Sequence, residues 1–253
     1  MFIKTRWLNA MDNQDFFHSM WEAIPNIVNI CSYGKLSERI DIFEKDEQEV
    51  MFLTNNIDDP EHHCDIVFVT DDGDLAIPTE MKKKYKDCRI HSSSDTHHGV
   101  PPNPALGITT YPFKVQPHGA LKVDLFEDLA PNEYRNVSLV TLMSFFVRRF
   151  RASSIIINTK DAHKFVPLFF DKGKFQESYL VTCQLNIAYP KPKTYQEMVD
   201  FRIAWLRLLN DRNYWLRHVS RTKDTLNMFL LSISDGFCWQ KYLTWMMPHL
   251  VKY

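Results

Sequence analysis

Asp65-Ile-Val-Phe-Val-Thr-Asp-Asp-Gly-Asp-Leu-Ala-Ile77 is the stretch on which the reading of the fold turns. Asp65 to Thr70 is rich in β-branched and aromatic residues and ends in turn-forming ones, so it predicts a strand. Leu75 to Ile77 predicts a second strand, and Asp71-Asp72-Gly73-Asp74 between them carries the Asp-Gly step of a tight hairpin turn.

Working outward, Asp12 to Tyr33 is aromatic and apolar with Pro25 inside it, which predicts a short helix and a loop. Ser37 to Glu49 is charged and weakly helical in pattern. Downstream, Arg89 to His118 shifts to Ser, His, Pro and Gly, the composition of a long loop or arm. Ala120 to Phe126 alternates as a strand, and Val137 to Phe150 places Leu139, Leu142, Met143, Phe146 and Phe150 at helical spacing. Ser154–Asn158, Phe165–Phe170 and Tyr179–Tyr189 read as strands. Thr194 with Glu197 three residues on is a capping box opening a helix, and Tyr214 to Tyr253 reads as helical.

These elements predict an α+β fold with an antiparallel sheet, flanking helices and a smaller N-terminal lobe. The expected division is an acidic lobe with the hairpin at 1–88, a Ser/His/Pro-rich loop at 89–119, and a basic α+β core with C-terminal helices at 120–253.

Apolar residues make up 45% of the chain and aromatics 13%, enough for a packed core. Seven glycines, with no GxGxxG and no GxxxxGK[ST], argue against the two common phosphate-cradling loops. Cys31, Cys64, Cys88, Cys183 and Cys238 are odd in number and never spaced CxxC, so free thiols in a reducing intracellular compartment are expected. Met1 to Ala10 mixes Lys4 and Arg6 with aromatics, unlike a signal peptide. The apolar run Val137–Val147 falls short of the ~20 residues that span a bilayer.

Charge is more informative. Residues 1–135 hold 13 Lys/Arg against 23 Asp/Glu, a net of −10, while residues 136–253 hold 17 against 8, a net of +9. A chain polarised this way attracts a polyanion, an anionic membrane face, or its own copies. The anion-binding candidates are Lys82, Lys83, Lys84, Lys86, Arg148, Arg149, Arg151, Lys191, Lys193, Arg217, Arg221 and Lys223. Mutual neutralisation of the two halves is the plainer use of the same charges. Phe16, Phe17, Met20 and Trp21, and Met228 to Leu231, could touch a membrane peripherally, although core packing accounts for such stripes more often.

Asp65 followed by Glu80-Met-Lys82 has the residue types of PD-(D/E)xK nucleases, in which two carboxylates hold Mg²⁺ or Mn²⁺ beside a lysine. Cys64 in place of proline and Pro78 inside the second strand depart from that pattern. His62, His63, His91, His97, His98 and His118 lie near Cys64 and Cys88 without a recognisable ligand spacing, so no metal, no cofactor and no small-molecule substrate are expected.

The order of strand 120–126, helix 137–150, strands to Tyr189 and helix 194–209 resembles the matrix proteins of rhabdoviruses of the plant-infecting, nucleus-associated kind. The resemblance covers about half the chain and includes no PPxY or PTAP motif, Pro101-Pro-Asn-Pro104 being a loose analogue. It implies a non-enzymatic virion protein that self-associates and ties ribonucleoprotein to the inner membrane face, in the host nucleus or cytoplasm.

Overall fold

The computed structural model describes residues 14–32, 39–46, 48–54, 64–94, 96, 107–117, 135–170 and 173–243. Its elements are α1 (Gln14–Ser32), β1 (Ile40–Lys45), β2 (Gln48–Leu53), β3 (Asp65–Thr70), α2 (Ala76–Lys84), β4 (Arg89–Ser93), β5 (Ile108–Tyr111), β6 (Phe113–Gln116) and β7 (Arg135–Ser138). Next come α3 (Leu139–Thr141, running into a π-helical turn Leu142–Val147), β8 (Arg151–Asn158), a 3-10 turn (Ala162–Phe165), α4 (Val166–Phe169) and α5 (Lys174–Glu177). The chain continues through β9 (Val181–Pro190), α6 (Tyr195–Asn210), β10 (Tyr214–Thr222), β11 (Thr225–Ser232) and α7 (Gly236–Tyr242).

The fold is α+β, with helices flanking a seven-stranded sheet of order β10-β11-β9-β8-β3-β4-β5. From β9 to β5 neighbours pair in parallel, whereas β11 is antiparallel to both β9 and β10. From β3 the chain first adds β4 and β5 on one side, then β8 and β9 on the other. The strand order therefore reverses between β3 and β8, as in doubly wound sheets.

The decisive stretch is half corrected. Asp65–Thr70 is a strand, buried at every position because both sheet faces are covered. No hairpin follows it, because the turn feeds a helix. Gly73 takes a positive φ of 66° and its N–H donates to Thr70 Oγ1 at 3.3 Å. Asp72 Oδ1 then accepts from Asp74 N–H, and Asp74 Oδ1 from Ala76 N–H, at 3.1 and 3.0 Å. Such side-chain turns wind the backbone toward a helix. Pro78, which would interrupt a strand, lies in the first turn of α2, where a missing N–H leaves no partner unsatisfied.

The proposed lobe boundary is corrected too. β3 sits in the middle of the sheet beside β8, so residues before 88 and after 120 share one core. The 89–119 stretch contains β4, β5 and β6. The predicted strand 120–126 lies outside the described residues.

Alternate residues of each strand feed different cores. Val67, Val69, Ile155, Ile157, Leu185 and Ile187 pack with Phe17, Met20 and Trp21 of α1, Leu142 of α3, and Met198, Phe201 and Trp205 of α6. Each such side chain contributes about 1.5–3 kcal/mol on burial. That gain carries α1 through Pro25 as one continuous helix. Ile66, Phe68 and Ile156 face the other way, onto Phe43, Val50 and Phe52 of the β1–β2 hairpin and Ile77 and Met81 of α2. Residues 37–49, expected to be weakly helical, include most of this hairpin. Phe17, Met20, Trp21 and Met228–Leu231 are buried in cores, which removes them as membrane-inserting groups, and the side chain of Phe16 is not described.

The outer edge of β2 is satisfied without a further strand. Asn186 Oδ1 accepts from Met51 N–H at 2.9 Å and its Nδ2 donates to Met51 O at 2.9 Å, while Gln184 does the same for Leu53 at 2.7 and 3.0 Å. Two amide side chains standing up from the sheet thus replace a neighbouring backbone.

The free-thiol expectation is corrected. Cys64–Cys88 and Cys183–Cys238 are disulfides with Cα separations of 4.5 and 5.0 Å. The parallel register sets Asp65 against Arg89, which places the residue before each strand side by side. Linear spacing cannot show that, and the reducing compartment inferred from free thiols loses its support. Among the described residues, no helix is long and apolar enough to cross a membrane.

Phe165–Phe170, read as a strand, is helical. Helix 137–150 shortens to α3, and the helical reading after Tyr214 gives way to the β10–β11 hairpin before α7. The capping box of α6 forms as expected.

Candidate nucleic-acid interface

The amino-terminal ends of the parallel strands gather the unusual chemistry of the molecule. Asp65, 2% exposed, opens β3 and is ringed by cations. Arg89 Nε lies 3.0 Å from Oδ1 and its Nη2 donates to Oδ2 at 3.1 Å, while Arg149 Nε lies 3.3 Å from Oδ2 and His91 Nε2 3.4 Å from Oδ1. Burial pushes the Asp65 carboxyl up, but the His91 hydrogen bond and the charges of Arg89, His91 and Arg149 outweigh it and hold it below the usual range.

Arg149 reaches inward because the backbone turns sharply just before it. The π-helical turn of α3 ends at Arg148, whose φ is +56°, and Arg149 N–H donates back to Met143 O at 3.1 Å. A left-handed non-glycine residue costs about 1–2 kcal/mol. In consequence Arg149 faces the buried carboxylate while Phe145 and Phe150 stand 55% and 68% exposed, with Arg148 and Arg151 beside them. Tyr179, with a φ of +57°, is 86% exposed, and the Val181 N–H donates to Phe150 O at 2.8 Å, which brings that ring to the same edge.

Arg151 also lies over the Phe237 ring, 5.3 Å from its centroid. Beneath it Lys241 is buried, 5.5 Å from the same ring, and donates to Ser153 Oγ at 3.3 Å. Burial lowers the Lys241 ammonium pKa, against the opposing charge of Asp65. From the other side, the C-terminus of α2 delivers exposed Lys83 and Lys86.

The remaining sequence candidates disperse. Lys82 Nζ donates to the carbonyls of Lys86 and Cys88 at 2.6 and 2.8 Å, and Lys84 pairs with Asp41 at 2.5 Å. Arg217 is buried and lies 4.7 Å over the Trp215 ring. Arg221 pairs with Glu22 at 2.5 Å. Lys191, Lys193 and Lys223 lie at the opposite edge, beyond the carboxyl ends of β9 and β10.

Asp65, Glu80 and Lys82 are not brought together as a nuclease site. Both Asp65 oxygens are taken by arginines, Glu80 is on the exposed face of α2, and Lys82 serves its own loop. Among the described residues no three His, Cys, Asp or Glu cluster as a metal site. His91 is buried beside Tyr111, with Nδ1 3.1 Å from its hydroxyl, and Cys64 and Cys88 are bonded to each other. His62, His63, His97, His98 and His118 lie outside the described residues.

Sequence reasoning missed Phe145, Phe150, Tyr179 and Phe237 as members of this edge. The signal available was Phe146-Val-Arg-Arg-Phe-Arg151, where aromatics interleave with arginines, a pattern that a helical reading assigns to the core. No family model, no curated protein and no solved structure matches the chain.

Proposed function

We propose that the chain is a non-enzymatic, matrix-like protein that binds single-stranded RNA, as in a ribonucleoprotein, along the amino-terminal edge of its parallel strands. The observation that carries this is the exposure of Phe145, Phe150 and Tyr179 among Arg148, Arg151, Lys83 and Lys86. Exposed rings give bases a surface to stack on, and exposed cations track phosphates. Asp65 serves the same surface indirectly, by fixing Arg89 and Arg149 so that the backbone around Arg148 and Phe150 is held outward. Self-association, with the acidic first half of one copy meeting this edge of another, uses the same charges.

The test is fluorescence anisotropy with a labelled single-stranded RNA across a salt series, on the full chain and on Phe150→Ala, Tyr179→Ala and Arg148→Ala/Arg151→Ala. Each lost stacking ring weakens binding by about 1–3 kcal/mol. Each lost phosphate contact flattens the slope of log affinity on log salt by about 0.7. Unchanged affinity in all three variants, or binding to anionic vesicles in the absence of RNA binding, would overturn the reading.

A further inference from the structure

The two disulfides differ in what can reach them. Cys183 and Cys238 are each 1% exposed and lie among Met51, Leu53, Phe229 and Leu231, where α7 packs on β9. Cys88 is 7% exposed, whereas Cys64, just before β3, is partly open to solvent. A disulfide opens when a thiolate attacks one of its sulfurs, so access decides which bond exchanges. Of the four bonded cysteines, Cys64 offers the most.

What Cys64–Cys88 holds together is the cationic edge. Cys64 immediately precedes Asp65 and Cys88 immediately precedes Arg89, and the Arg89 N–H donates to Cys64 O at 2.7 Å. The bond therefore fixes, one residue away, both members of the 3.0 Å Asp65–Arg89 pair, and Asp65 in turn holds Arg149. Lys82 Nζ donates to Cys88 O at 2.8 Å and to Lys86 O at 2.6 Å, so the turn that presents Lys83 and Lys86 is tied to the same cysteine. The sheet has its own support here, because β3 forms parallel ladders with β4 and β8. Opening the bond loosens the edge and leaves the sheet standing.

We infer that Cys64–Cys88 is a redox clasp on the RNA-binding edge, closed in the binding form and opened by a dithiol, while Cys183–Cys238 stays closed. The consequence for RNA rests on the function proposed above. In the first step a thiolate of the dithiol bonds to Cys64 Sγ, and the protein S–S bond breaks with its electron pair leaving on Cys88, which then takes up a proton. Lys82 reaches the carbonyl of Cys88, and Lys86 and Arg89 lie close to it in sequence, with exposed Asp87 as the neighbouring acid. Cations beside a sulfur favour its departure as thiolate. The second thiol of the reductant then displaces Cys64, which is protonated in turn. The dithiol ends as its own disulfide, oxidised by two electrons, and the protein gains two thiols. Thiol-rich cell interiors and oxidising exteriors set the clasp in opposite states, so the chain grips RNA in the exterior state and relaxes its grip in the interior one.

The experiment exposes the folded full chain to graded dithiothreitol, traps free thiols with iodoacetamide, locates the label by peptide mass spectrometry and measures RNA affinity by anisotropy on the same samples. Cys64 and Cys88 take label at a concentration that leaves Cys183 and Cys238 unlabelled. Over that range RNA affinity falls at least about fivefold, the low end of coupling between two sites, and returns on reoxidation. Cys64→Ser/Cys88→Ser binds RNA as the reduced parent does and ignores dithiothreitol. Labelling of Cys183 and Cys238 first or in step would overturn the clasp, as would an RNA affinity unmoved by reduction or a double variant that still responds. Absence of RNA binding in every state would sink the proposed function and the coupling with it, and the order of labelling reads the clasp independently of RNA.

Discussion

The two ends of the same sheet are built by opposite means. At the amino-terminal edge the strands are tied covalently, since Cys64–Cys88 joins the residues preceding β3 and β4 and Cys183–Cys238 anchors the start of β9 to α7. At the carboxyl edge the ties are polar. Lys45 pairs with Asp74 at 2.5 Å, Gln48 Nε2 donates to Asp72 Oδ2 at 3.3 Å, and Lys160 N–H donates to Asp71 Oδ2 at 2.7 Å. Covalent staples keep their strength in salt and acid, whereas exposed ion pairs do not. The edge that carries the arginines and exposed aromatic rings is thus fixed covalently, and the edge under the hairpin is held by polar ties.

This contrast can be broken most forcefully at the staples. Replacing Cys183 and Cys238 by serine removes a 55-residue closure and costs about 4 kcal/mol, and the 24-residue Cys64–Cys88 closure about 3 kcal/mol, read from urea unfolding. A loss under 1 kcal/mol in both would show that the edge does not depend on its covalent links.

Next in size is Asp65→Asn, which leaves Arg89 and Arg149 facing a neutral group. The expected loss is about 3 kcal/mol, at the low end for a broken buried pair because both arginines are partly exposed. Its folded pKa is depressed, so the carboxylate's contribution is fully present above the unfolded value of about 3.9 and disappears as pH falls through the lower folded value. The gap between parent and variant therefore closes only in acid below about pH 4. A gap unchanged down to pH 2 would point to packing instead of charge.

A smaller and more selective effect separates the edges by function. Lys191→Ala/Lys193→Ala/Lys223→Ala at the carboxyl edge should change RNA affinity by less than about threefold at physiological salt, where distant exposed charges are screened. An effect as large as that of Phe150→Ala would relocate the interface. The smallest change is Lys45→Ala, which leaves the melting temperature in place but speeds hydrogen exchange across Ile40–Leu53, because one polar tie of the hairpin is gone.

Strand β3, most of β8 and β9, and helix α6 were legible in the sequence, the last through its capping box. Charge polarity was legible as well, but not its disposition, since Arg149 and Arg221 pair with acids of the first half while Arg148 and Arg151 remain exposed. The hairpin after Thr70 was misread because Asp-Gly serves a strand-to-helix turn as readily as a hairpin, and which one forms depends on what packs beyond it. β11 was misread because Leu226–Ser232 is buried on both faces and so shows no alternation. The Cys64–Cys88 disulfide and the aromatic edge depend on parallel register, and Cys183–Cys238 on how a C-terminal helix docks on β9, properties of chain segments far apart in sequence.

Arg148 and Tyr179 hold a backbone shape in which glycine would be at ease. Arg148→Gly and Tyr179→Gly should fold at least as firmly as the parent, so a selection for heat resistance alone would drift toward them. The variants it enriched would be sturdier and would have lost their grip on the polyanion, and that opposition would mark the edge as selected for contact and not for the comfort of the chain.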